Sequence, residues 1–275
     1  MSNGNHHRVG RCASRRLVAL SVAAFVLALG VVFAGPAQAA HLHAFSHSFG
    51  SPGSGDGELA LVFPQLREDG YPLTPGSGVA VDEGTGDVYV ADTGNHRVDE
   101  FESDGTFVRA FGADVGGPGI DVCSADCAPG TSGHLPGELE APTFIAVDNA
   151  PSSPSVGDVY VADTATGEDL VTKFDAEGHL ISSWGSGGQQ GGEALPGGSF
   201  LAIQGIGVDT SGNLWVRGGS GGSRFFELEQ SGAPAGSRTT RLGTQPSGIA
   251  LDGASHLYFP DGFPWGPINR LATTA

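Results

Sequence analysis

The run Asp92-Thr93-Gly94-Asn95-His96-Arg97 puts a carboxylate, an imidazole and a guanidinium within six residues. Such a set could hold an anion or move a proton, because histidine changes charge near neutral pH and arginine pairs with carboxylates. The carboxylate recurs, however. Asp163 and Asp261 end the related runs Val159-Tyr160-Val161-Ala162-Asp163 and Leu257-Tyr258-Phe259-Pro260-Asp261. A second set, Asp82, Asp148, Asp209 and Asp252, follows four short apolar runs. A catalytic group is rarely copied into every repeat. These aspartates therefore read as turn acceptors, with Asp92 also placed to pair with Arg97. No residue is assigned a catalytic role, and no metal ligand set is assigned.

Two cysteines, Cys123 and Cys127, lie in Cys-Ser-Ala-Asp-Cys. In an oxidising compartment an even, closely spaced pair reads as a disulfide stapling a loop. A zinc site needs two further ligands, and His134 is the only one nearby. A catalytic dithiol prefers two intervening residues, not three. His41, His43 and His47 sit near the start of the exported chain and read as a solvated tail. Phe263 and Trp265, in Phe-Pro-Trp-Gly-Pro, form an aromatic loop cluster that could serve as a contact patch. There is no G-x-S-x-G elbow and no phosphate-binding glycine loop with lysine. Asp82 to Asp87 lacks the spaced oxygens and closing glutamate of a calcium loop. Calcium is expected, if at all, only through the general acidity of the loops; no other cofactor is expected.

These residues must be positioned by short strands. Gly78 to Gly112 reads as four of them, with turn chemistry at Asp82–Asp87, Asp92–Asn95 and Ser103–Gly105. One such sheet cannot cover both its faces and needs copies of itself beside it. The copies are present: Val79-Ala80-Val81-Asp82 returns as Ile145-Ala146-Val147-Asp148, Ile206-Gly207-Val208-Asp209 and Ile249-Ala250-Leu251-Asp252. The marker aspartates are 66, 61 and 43 residues apart. The shortest spacing is that of a propeller blade, and the longer ones carry insertions at 113–136, 150–156 and 186–199. Leu180 to Gly185 echoes the closing strand Phe107 to Gly112, and Ala44 to Gly50 looks like a closing strand without its blade.

Residues 1–39 read as a cleaved signal peptide: Arg8, Arg11, Arg15 and Arg16, an apolar run from Leu17 to Ala34, then Pro36 and Ala37-Gln38-Ala39. The leader holds four of the 13 basic residues and none of the 30 acidic ones, so the remainder carries a formal charge of −21. That field opposes nucleic-acid binding. It suits an exported, extracellular or cell-surface protein with no membrane attachment once the leader is gone.

The repeats resemble the NHL-repeat family, most closely at Asp92-Thr93-Gly94-Asn95-His96-Arg97-Val98. The likeness runs from about Phe45 onward and weakens in the third repeat, where Arg217-Gly218 replaces Ala-Asp. It implies an all-β fold: a β-propeller of four-stranded antiparallel blades, about four of them here. The ring is either closed by the N-terminal strand or left as an open arc. The expected organisation is a leader (1–39), an N-terminal closing strand and linker (40–77), and blades (78–275). Secreted bacterial proteins look like this. The expected function is non-catalytic binding or scaffolding of a protein or cell-wall glycan partner. The alternative is a metal-dependent lyase or lactone hydrolase on the propeller channel, which some related propellers are; the sequence offers no converging histidine set for it.

Overall fold

The structure is a computed structural model of the 275-residue chain. It describes residues 46–61, 76–164, 169–191, 200, 202–218, 224–239, 248–260 and 268–272. The expected leader, His41, His43, Asp261, Phe263 and Trp265 lie outside the described residues. Residues Ser48–Ala275 form one compact unit, which is described below.

Ahead of the first blade, β1 (Ser51–Pro52) and β2 (Glu58–Leu59) form a short parallel pair. The first blade is β3 (Val79–Val81), β4 (Val88–Asp92), β5 (Arg97–Phe101) and β6 (Phe107–Phe111), all antiparallel neighbours. A fifth strand, β7 (Val122–Cys123), pairs with β6. It comes from the 113–136 insertion and covers what would be an exposed sheet edge. The second blade is β8 (Pro142–Val147), β9 (Val159–Asp163), β10 (Leu170–Phe174) and β11 (Gln189–Gly191). The third is β12 (Gly205–Val208), β13 (Leu214–Gly218), β14 (Arg224–Leu228) and β15 (Pro234–Thr239). The fourth has three strands among the described residues: β16 (Ala250–Leu251), β17 (His256–Pro260) and β18 (Ile268–Ala272). The all-β, four-stranded blade architecture expected from the repeats is thus present.

The core lies between blades. Tyr89, Val98 and Phe111 of the first blade pack on Ile145, Val147, Val159, Val161 and Phe174 of the second. Tyr160 and Trp184 pack with Leu214, Val216 and Phe226, and Trp215 and Phe225 with Leu257 and Phe259. Each blade thus covers a face of the next, which is why the β-branched and aromatic residues at alternate strand positions are required.

One strand assignment needs correction. Leu180 to Gly185 does not form the outer strand of the second blade; only Leu180 bridges to Phe174. The chain instead turns at Ile181–Trp184 and again to Gly188, and Gln189–Gly191 takes the edge of β10. Gly185, Gly187 and Gly188 all have positive φ, which lets the backbone fold back there. Trp184 stays buried against Tyr160, at 5.6 Å between ring centroids. The glycine-rich stretch taken for an insertion therefore contributes a strand.

Candidate interaction site

The Asp92–Arg97 run closes the β4–β5 hairpin. Thr93–Asn95 form one 3₁₀ turn, and His96 takes the left-handed conformation at φ 55°. Arg97 is wholly buried, and all five of its N–H groups have acceptors. Nε donates to Asp99 Oδ2 (3.1 Å). One terminal nitrogen donates to the carbonyls of Ser54 and Ala128, the other to those of Gly55 and Glu58. Asp92 Oδ2 is 3.4 Å from Arg97 Nε and accepts from Asn95 Nδ2, while Asp92 Oδ1 accepts from the Ala60 amide. The run therefore ties the β1–β2 segment and the 113–136 insertion to the first blade. His96 Nδ1 donates to the Glu140 carbonyl.

The other marker carboxylates also face the backbone. Asp163 accepts from the amides of Glu140 and Ala141. Asp82 accepts from Gly84 and Thr85, Asp148 from Ala150 and the Ser153 hydroxyl, and Asp209 from Ser211, Asn213 and Trp215 Nε1. Asp252 takes the amides of Ala254 and His256 and the Tyr258 hydroxyl. The His256 amide and the other donors hold the Asp252 carboxyl well below its ordinary pKa.

Sequence reasoning gave no sign of the buried charges. Asp99 is fully buried, and desolvation pushes its pKa up to about 8, against the opposing pull of Arg97. Its Oδ1 has no hydrogen-bond donor, so the protonated acid is the form that suits the site. Burial also raises Glu100 to about 7, opposed by Arg109, whose Nε is 2.9 Å from Glu100 Oε2. That N–H is not aimed well enough to make a hydrogen bond, so the contact is an ion pair. Lys173, the one lysine of the chain, is buried between Asp158 Oδ2 (2.9 Å), the Ser155 hydroxyl and the Tyr160 ring.

The insertion between β6 and β8 is the most elaborated loop among the described residues. It lies at the same end of the blade as the Thr93–His96 turn, since Gly130 donates to the Asn95 carbonyl. Cys123 and Cys127 are joined by a disulfide and pack with Ala110 and Val115. Asp56 reaches across from the β1–β2 segment and accepts the amides of Asp126 and Cys127. Asp114 accepts from Gly119 and Thr131, which depresses its pKa. With the backbone fixed in this way, Ile120 and Leu135 stand 52% and 67% exposed. Apolar side chains held in water by a rigid loop are what a binding surface offers. The sequence marked the insertion through its cysteines; these two contact residues carried no periodic signal.

Among the described residues no group of three or more His, Cys, Asp or Glu side chains is placed to hold a metal ion. No helix there is long and apolar enough to cross a membrane.

Blades of this kind, stacked face to face, define a β-propeller protein. Residues 77–101 match the NHL repeat. No curated protein matches the sequence. Among solved structures the chain is similar to one from a nidogen/laminin complex (17% identity, TM-score 0.42, 71% of this chain and 60% of that one). It is also similar to virginiamycin B lyase from Staphylococcus aureus (13%, 0.43, 72% and 56%). A third is XC5397, a gluconolactonase from Xanthomonas campestris (16%, 0.37, 67% and 69%). The chain thus spans 60% or less of the first two. At these scores and identities the likenesses say nothing of what this chain binds or does.

Proposed function

We propose that the chain is an exported scaffold propeller that binds a protein or cell-wall glycan through the disulfide-stapled insertion and does no chemistry of its own. One observation carries the reading: the ionisable groups that recur from blade to blade spend their hydrogen bonds on backbone. Asp92, Asp163, Asp148 and Asp209 hold turns and linkers, and Arg97 has no N–H left to offer a substrate. The insertion presents Ile120 and Leu135 to solvent on a preorganised loop. Rigid presentation keeps down the ordering cost of association. The signal-like leader, the disulfide and the acidic charge fit a location outside the cell.

The competing reading is a metal-dependent lyase or lactone hydrolase. One experiment separates them. The purified protein is presented to arrays of extracellular proteins and cell-wall glycans, and in parallel to lactone substrates, each with and without calcium, magnesium or zinc. Saturable binding that Leu135→Asp weakens at least tenfold, with no turnover, is the expected result. Metal-stimulated turnover that survives Leu135→Asp contradicts the proposal.

A further inference from the structure

The disulfide does more than close a loop on itself: it shapes a socket for another part of the chain. Between Cys123 and Cys127, Asp126 takes the left-handed conformation at φ 57°, a region few residues other than glycine enter. Successive N–H groups around such a residue converge on one point, as in the backbone nests that bind anions. Here the point is filled by a carboxylate from 70 residues away. Asp56, in the turn between β1 and β2, sets Oδ2 on the Asp126 amide (2.9 Å) and Oδ1 on the Cys127 amide (2.8 Å).

The socket is anchored on both sides. Cys123 is paired with Ala110 across the β6–β7 ladder. Ala128, just beyond the staple, donates to the Val115 carbonyl and accepts from Arg97. Between these anchors Ser124, Ala125 and Asp126 stand exposed, so packing does little to hold them and the covalent bond does the holding. The captured turn is seated as closely. Its Ser54, Gly55 and Glu58 carbonyls accept from Arg97, and the Glu58 carboxylate takes the amides of Ser54 and Gly55. Gly57, at φ 67°, lies so near the first blade that an added side chain would meet Phe107 at 3.2 Å and Phe101 at 3.5 Å.

We propose that Cys123–Cys127 is a redox latch on the β1–β2 segment. Oxidised, it shapes the socket that holds Asp56 and keeps the turn seated over Arg97 and Phe101. A low-molecular-weight thiol opens it. Two such thiols supply two electrons and two protons, the S–S bond breaks, each cysteine sulfur takes a proton, and the reductant leaves as its own disulfide. Asp126 then relaxes out of the left-handed region, the two amides diverge, and residues 53–58 open more readily from the blade. Linkage makes the coupling reciprocal: whatever the disulfide contributes to the Asp56 contact, the contact contributes to the disulfide by the same factor. A staple that only closed its own loop would show no such dependence on Asp56.

The test uses the whole chain with Cys12→Ser, so that only this pair titrates. The protein is equilibrated against mixtures of reduced and oxidised glutathione, and the reduced fraction is read by alkylation and mass. Asp56→Asn keeps one acceptor oxygen and turns an NH2 group toward an amide donor. It should shift the reduction equilibrium toward the dithiol by about tenfold, the usual weight of hydrogen bonds to a charged group. Hydrogen exchange at the Gly53 and Glu58 amides, which close the turn onto Leu59 and Gly55, should quicken by a similar factor when the parent protein is reduced. In Asp56→Asn these amides should exchange fast already, and reduction should add little. A wild-type reduction midpoint in Asp56→Asn, or Gly53 and Glu58 exchange that reduction leaves unchanged, overturns the proposal. Cys123→Ser with Cys127→Ser keeps the result decisive if Asp56→Asn loosens the first blade: exchange in that protein must match the reduced parent, and exchange at the oxidised rate overturns the latch.

Discussion

The guanidinium of Arg97 donates to the carboxyl of Asp99 at 3.1 Å with both side chains wholly buried. They share that interior with Asp92, so one cation faces two carboxyls out of contact with water. Both carboxyls cannot be ionised there without leaving a net buried charge, a costly state. Raising the pKa of Asp99 relieves it.

Stability should therefore fall as pH rises. Asp99 at about 8 and Glu100 at about 7 bind protons more tightly folded than unfolded, and burial raises Asp148 and Asp169 too. For a raised acid, the stabilisation is complete below the unfolded pKa of about 4 and is lost as pH climbs through the folded value. The melting temperature should decline between pH 5 and pH 8.5. Asp99→Asn keeps an acceptor for Arg97 and should make that decline shallower, which separates it from general acidic self-repulsion. A melting temperature that rises over this range would contradict the assignment.

Reduction of Cys123–Cys127 should loosen one loop and leave the blades. For so short a loop the entropic contribution is about 2 kcal/mol. Hydrogen exchange should quicken at Asp126 and Cys127, whose amides are held by Asp56, and little in β9 and β13. Uniform loss of protection across all blades would mean that the staple matters to the whole fold.

Lys173 should be inert to amine-acylating reagents in the native protein. Its ammonium is buried against Asp158, Ser155 and Tyr160. Peptide mapping should find it modified only after denaturation, while the α-amino group reacts at once. Fast labelling under native conditions would contradict the packing of the second blade.

The strands and repeats were legible because period-2 apolar runs and their aspartate turns recur. Three features were not. In Arg97-Val98-Asp99-Glu100-Phe101 every residue is buried, so alternation does not separate an inner from an outer face. Arg97 is satisfied by Ser54, Gly55, Glu58 and Ala128, and Glu100 is paired with Arg109, mostly far away in sequence. The outer strand of the second blade lay in glycine-rich sequence with no strand propensity, placed there by turns around Trp184. The contact residues Ile120 and Leu135 are exposed because the loop around them is hydrogen-bonded to itself and to Asp56, which no local pattern records.

Under the proposed function the Asp92–Arg97 run is part of the fold and not a reactive centre. Chemical denaturation of Arg97→Lys measures this directly. Lysine has three donors against five and no planar fork, so it cannot satisfy Ser54, Gly55, Glu58, Ala128 and Asp99 together. The predicted result is a loss of about 3–5 kcal/mol, the usual cost of breaking a buried pair. A wild-type denaturation midpoint would contradict the account, because an arginine that holds nothing together would be free for chemistry.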